Sequence, residues 1–153
     1  MHKLRIYIDT SVIGGCFDEE FSEWSIRLFD DFINGKKIAV ISDVTLEELE
    51  EAPVKIKNQL KKIPEISKEY IYLGQEAIDL SQNYINEGIV TNKSLIDTRH
   101  IAMATMNNVD ILASWNFRHI VNYNKIKLYN SVNLKFGYNL IEIRNPRDLT
   151  DEN

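Results

Sequence analysis

Leu4-Arg5-Ile6-Tyr7-Ile8-Asp9-Thr10-Ser11 is the stretch on which the fold turns. Leu4 to Ile8 is a short apolar run that stops at an acid followed by two hydroxyls. It reads as a buried first strand with Asp9 at its carboxyl end. Gly14-Gly15 interrupts whatever follows Ser11.

Outward from that strand, helical and extended patterns alternate. Trp24, Leu28, Phe29, Phe32 and Ile33 recur at helical spacing between about Glu20 and Asn34, and Asn34-Gly35 supplies a stop. Lys37 to Ser42 reads as a second strand. Asp43 opens a helix to about Glu51, closed at Pro53, and residues 54–62 form a basic amphipathic helix before Pro64. Tyr70 to Leu73 is a candidate strand. Gln75 to Glu87 and Ser94 to Asn107 read as helices, and Asp110 to Ser114 as a strand. Beyond Asn116 the periodicity weakens. Leu140 to Ile143 is a candidate last strand, and residues 146–153 read as a polar tail after a single domain spanning residues 1–145. Strands alternating with helices indicate an α/β layer fold with a mostly parallel sheet.

Composition narrows the function classes. The chain has 153 residues, 44% of them hydrophobic and 27% charged, enough for one domain with a sizeable core and unlike a disordered chain. A formal charge of −5 excludes a protein that coats nucleic acid by bulk positive charge. The charge is uneven. Residues 1–50 hold five basic against eleven acidic side chains, whereas residues 111–147 hold six basic side chains against Glu142 alone, together with Trp115, Phe117, Tyr123, Tyr129, Phe136 and Tyr138. The single cysteine, Cys16, makes neither an internal disulfide nor a cysteine zinc cage, and reads as a packed small residue. No apolar stretch is long enough for a membrane span, and the amino-terminal run is too short for a secretory signal, so the expectation is a cytoplasmic protein without a membrane partner.

Active sites of open parallel sheets lie at the carboxyl ends of strands. Asp9, Glu48 and Asp97 all fall at or just beyond such ends. Converging carboxylates repel one another unless a cation holds them, and an all-oxygen set suits magnesium or manganese. Each acid also has a purely structural reading. Asp9 can cap the helix that follows, and Thr45-x-x-Glu48 and Ser94-x-x-Asp97 both fit a capping box.

Four motifs taken in order resemble the PIN-domain ribonucleases, and among them the VapC-type toxins of toxin–antitoxin pairs. They are Ile8-Asp9-Thr10-Ser11-Val12-Ile13, the Thr45 to Leu49 segment, Asp97-Thr98-Arg99-His100-Ile101-Ala102, and Asp110 to Phe117. The resemblance runs from residue 4 to about residue 143. It implies a three-layer α/β/α sandwich around a five-stranded, mostly parallel sheet. It also implies an endoribonuclease using Mg2+ or Mn2+ held by Asp9, Glu48 and Asp97, an antitoxin partner, and a homodimer formed through the Trp24–Ile33 helix or the 54–62 helix. Thr10 or Ser11 would sit beside the cation. The chain departs from the family at a fourth acidic position, where it has Asn116, with His119 three residues on; Asn116 reads as a catalytic substitute or as a turn residue.

The chemistry implied is hydrolysis of an RNA phosphodiester by an activated water, with the cation neutralising phosphate charge. Arg99, Arg118 and Trp115 are candidate substrate contacts, the aromatics of the late segment serving either to stack unpaired bases or to fill the core. His100 reads as a packing residue. The other class compatible with Asn116 is a catalytically weak RNA-binding or scaffold protein of the same fold.

Overall fold

The structure is a computed structural model, and it describes residues 2–150. Five parallel strands form one sheet in the order β3-β2-β1-β4-β5. They are β1 (Arg5–Ile8), β2 (Ile38–Ser42), β3 (Lys68–Ile71), β4 (Ile111–Ala113) and β5 (Ile143–Arg144). Between them lie α1 (Thr10–Gly15), α2 (Ser22–Ile33), α3 (Asp43–Glu50), α4 (Val54–Lys61), α5 (Gln75–Asn86), α6 (Leu95–Met106) and α7 (Tyr123–Lys135), with α8 (Pro146–Thr150) last.

Side-chain alternation along the central strands builds two cores. Ile6, Ile8, Ala39, Ile41 and Ala113 point to one face, where they meet Val12, Ile13, Leu28, Phe29, Phe32 and Leu60 of α1, α2 and α4. Tyr7, Val40 and Leu112 point to the other, against Leu80, Tyr84, Ile101, Met103, Tyr129 and Val132 of α5, α6 and α7. A parallel sheet covered on both faces explains why its central strands read as continuous apolar runs. Within the second core the Tyr84 hydroxyl donates to the buried Asn133 amide, which donates in turn to Thr105 Oγ1 at 3.2 Å.

Several sequence expectations are corrected, each for a local reason. The candidate strand at Tyr70–Leu73 begins earlier, at Lys68, and stops at Ile71; the Leu73 N–H is taken by the Asp43 carboxylate, at 3.0 and 3.2 Å, instead of the sheet. The last strand is Ile143–Arg144 rather than Leu140–Ile143. The Asn130 side chain pins both backbone groups of Ile141 to α7, accepting from its N–H at 2.7 Å and donating to its carbonyl at 3.1 Å. The weakly patterned segment after Asn116 holds α7. Its apolar stripe is hard to read because Leu128 and Leu134 face outward while Asn133 is buried. Residues 146–150 form α8, packed on α2 with Arg147 over the Trp24 ring at 5.3 Å; residues 151–153 of the expected tail lie outside the described residues.

Capping differs as well. Ser42, not Thr45, caps α3, its Oγ accepting from Thr45 N–H at 3.1 Å, while Thr45 Oγ1 donates to the Ile8 carbonyl at 3.2 Å. Ser94 holds the N-cap position of α6, but its hydroxyl makes no capping bond.

Candidate active site

The strand order places a topological switch between β1 and β4: the chain leaves β1 toward β2 on one side and returns through β4 on the other. A crevice opens at the carboxyl ends on either side of such a switch. Asp9 ends β1 and Ser114 follows β4, and the Ser114 hydroxyl donates to Asp9 Oδ2 at 2.6 Å, bridging the switch. Asp9 also caps α1. Its Oδ1 accepts from Val12 N–H at 3.2 Å and from Ser11 Oγ at 2.6 Å, so capping and site roles coexist in one carboxylate. Ser11 Oγ accepts in turn from Trp115 N–H at 2.9 Å, tying the loop after β4 to α1.

Glu48, on α3, faces the same region. Its Oε1 accepts from Thr10 Oγ1 at 2.8 Å and lies 2.7 Å from His100 Nε2. His100 is buried, as the sequence suggested, but it is not a mere packing residue. The Tyr7 hydroxyl lies 2.6 Å from its Nδ1 and 2.6 Å from Ser42 Oγ. A neutral imidazole satisfies both neighbours only with its proton on Nε2, facing the carboxylate. The Tyr7 hydroxyl then donates to Nδ1 and accepts from Ser42. A line of buried hydrogen bonds therefore runs from the α3 cap to Glu48. Burial raises the Tyr7 phenol far above its ordinary value, which keeps the hydroxyl proton in place. Burial also tends to raise the Glu48 carboxyl, but the hydrogen bonds from His100 and the Thr10 hydroxyl outweigh it and leave Glu48 lowered.

Asp97 lies in the first turn of α6 and accepts from Asn116 Nδ2 at 3.1 Å. Burial raises its carboxyl; His119 and His100 pull it down, and the charges of Asp9 and Glu48 push it up. The three acids are thus close enough to feel one another. The Asn116 amide oxygen accepts from the backbone N–H of His119 at 2.9 Å and of Arg118 at 3.2 Å. Its oxygen is spent on the turn, and its nitrogen positions Asp97.

The donor set is three hard carboxylates, and the half-buried Asp97 beside two further acids is a charge with no cationic ion-pair partner within salt-bridge distance among the described residues. That chemistry fits a divalent cation. Among the described residues no three His, Cys, Asp or Glu side chains are gathered closely enough to hold an ion as they stand.

The remaining candidates divide. Trp115 is 8% exposed, stacked on Phe21 with ring centroids 4.1 Å apart, and its indole N–H donates to Ser25 Oγ at 2.8 Å. It belongs to the core; Phe117 beside it is the accessible ring, 47% exposed. Phe136 is exposed too. Arg99 keeps its Nε buried without a hydrogen-bond partner, and Arg118 is exposed. Cys16 is buried and its thiol is pushed up to about 11 by desolvation, which suits packing. Sequence reasoning missed Ser114, Tyr7 and Ser42. It also undervalued His100, although its place three residues after Asp97 puts the two on one face of α6.

No protein-family model matches the chain, and no curated protein does. Among solved structures it is similar to VapBC2 from Rickettsia felis, bound to a DNA fragment from their promoter, at 12% sequence identity and a TM-score of 0.57. The match covers 93% of this chain and 98% of that one. Identity so low speaks for architecture alone: the chain has a PIN-like α/β fold.

Proposed function

We propose that the chain is a cation-dependent endoribonuclease of the toxin–antitoxin kind. The observation that supports the reading is the line of hydrogen bonds from Asp97 through Asn116 and Ser114 to Asp9 at the end of β1, with Glu48 bonded to the neighbouring Thr10. Under this reading the three acids hold Mg2+ or Mn2+, which when bound would supply an acidified water and neutralise phosphate charge.

The chain's own groups prepare the site. Ser11, Ser114 and the Val12 N–H fix the rotamer of Asp9. Thr10 and His100 hold Glu48 ionised and aimed, and Asn116 orients Asp97. Thr10 and Ser11 act through these carboxylates and not on the substrate directly. Arg118 and Phe117, on the loop after β4, stand where an RNA strand reaching the acids would pass.

Pairing with an antitoxin and with a second copy of the chain belongs to the same proposal. Support comes from the likeness to VapBC2 and from apolar side chains left exposed on α2 (Ile26, Ile33) and α4 (Val54). A cytoplasmic site of action accords with a free, buried cysteine. Among the described residues, no helix is long and apolar enough to cross a membrane.

The test is incubation of purified protein with structured RNA in Mn2+, Mg2+ or EDTA, beside Asp9→Asn and Asp97→Asn. Cleavage by wild type with a cation, lost in EDTA and in both variants, is the expected result. Cleavage unaffected by either substitution overturns the site. RNA bound but left intact by wild type favours the weakly catalytic binding-protein reading.

A further inference from the structure

Beside the acids lies a second cleft of about 770 Å³, walled by the α5–α6 connection and by the loop leading into α7. Lys93, Arg118, Lys125 and His119 line it, and none of its lining residues is acidic. Some cations elsewhere are neutralised: Arg5 pairs with Glu69, Lys37 with Asp31, Lys68 with Glu65 and Lys135 with Glu87. Lys93, Arg118 and Lys125 have no acidic partner among the described residues. In a chain of net charge −5, three uncompensated cations around one opening are a local reversal of sign.

The same wall holds an uncommitted hydroxyl and a buried ring nitrogen without a partner. Ser94 is 5% exposed, lines the cleft, and its hydroxyl makes no hydrogen bond among the described residues. His119 keeps its Nδ1 buried and unpartnered. Buried polar groups are satisfied in most folded proteins, so a buried orphan nitrogen in the wall of a basic cleft, with an uncommitted hydroxyl in the same wall, marks a place where a ligand supplies the missing partner. The N-terminus of α6 adds little by itself, because Asp97 already occupies its first turn.

We infer that this cleft binds the sugar–phosphate backbone of a single-stranded RNA next to the bond being cut. Its cations would contact phosphate oxygens, with Ser94 and His119 completing the hydrogen bonds. The position suits that role. Ser94 is three residues before Asp97 on the same helix, and Arg118 and His119 follow Asn116, which bonds Asp97. A strand with one phosphate at the acids therefore has neighbouring phosphates within the cleft. Contacts of this kind position a strand and do not read its sequence. The assignment rests on the ribonuclease reading for its choice of polyanion, and its test is independent of cleavage.

The experiment measures binding of short fluorescein-labelled homopolymer RNAs by anisotropy, in EDTA, across a salt series. Lys93→Gln, Arg118→Gln, Lys125→Gln and their triple combination are compared with wild type and with Lys57→Gln, which lies in a separate groove on α4. Far-ultraviolet circular dichroism confirms folding. Each single variant is expected to weaken binding by roughly three- to tenfold, equally for different homopolymers. The slope of log affinity against log salt should flatten by about 0.7 per lost contact, hence by about 2 in the triple variant. Ser94→Ala is expected to weaken binding without changing the slope. An unchanged affinity and slope in the triple variant overturns the inference, as does wild-type protein that binds no RNA, or one that loses only duplex DNA on substitution. Binding that depends on these residues in a protein that never cleaves RNA leaves the cleft standing and sinks the nuclease reading. Cleavage with binding indifferent to them does the reverse.

Discussion

Tyr7→Phe is the perturbation most sharply specified by the structure. Tyr7 is 0% exposed, and its ring stays in place when the hydroxyl is removed, edge-on to the His100 ring at 5.6 Å. Two hydrogen bonds vanish, each of 2.6 Å. Ser42 Oγ keeps the Thr45 N–H as a partner and loses only the net value of one bond, about 1 kcal/mol. His100 Nδ1 is left buried without a partner, which costs about 1–3 kcal/mol. The sum is a destabilisation of about 2–4 kcal/mol. Urea unfolding followed by circular dichroism reads it out. With a slope of about 2 kcal/mol per molar, the midpoint should fall by roughly 1–2 M while the slope stays constant. Tyr72→Phe, at a hydroxyl on an exposed side chain, is the control and should not move the midpoint. Nitrogen chemical shifts of His100 give a second reading, because the tautomer with its proton on Nε2 should lose its dominance when the phenol is absent. A midpoint shift no larger than that of Tyr72→Phe would refute the claim that the buried line from Ser42 to Glu48 is energetically coupled.

Two further outcomes follow from the same geometry. Asp97 is a carboxylate whose folded value is raised, so the folded protein favours its neutral form; the stability it contributes is present below the ordinary value near 3.9 and is lost as pH rises through the raised one. In EDTA, Asp97→Asn should therefore gain thermal stability over wild type between about pH 4 and pH 7, the gain growing with pH; a difference that stays flat across that range contradicts burial of the charge. Gly15→Ala places a methyl 2.6 Å from Ser25 Oγ and 2.7 Å from Trp115 Nε1, pressing on both ends of the bond those two atoms share. Strain plus the broken bond should cost about 2–5 kcal/mol in urea unfolding, and wild-type stability in that variant would show that the loop after β4 gives way freely.

Much of the architecture was legible along the chain because its signals are local. A parallel strand buried on both faces must be apolar throughout, and Ile6-Tyr7-Ile8, Ala39-Val40-Ile41 and Ile111-Leu112-Ala113 are. Helices with one buried stripe announce their period, as α2 does through Leu28, Phe29 and Phe32. The helix that escaped, α7, buries an asparagine and exposes two leucines, so its period is blurred by tertiary contacts of Asn133 that no local pattern contains.

The site divides in the same way. Asp9, Glu48 and Asp97 are legible because strand ends and helix starts can be found by pattern, and acids at those places are few. Their partners are not. Ser114 reaches Asp9 across 105 residues, His100 reaches Glu48 across 52 and Tyr7 reaches His100 across 93. The strand order that makes β1 and β4 neighbours decides the first of these contacts, and the docking of α6 against β1 and α3 decides the others. Sequence by itself determined the α/β alternation, the acids at the strand ends and the late excess of basic charge. Only the tertiary structure decided which hydroxyls and imidazole hold those acids, that Asn116 spends its oxygen on a turn, and that Lys93, Arg118 and Lys125 line one cleft. Hydrogen bonds and charge fields act through space, and the spacing of residues along a chain carries no record of which distant groups the fold will bring together.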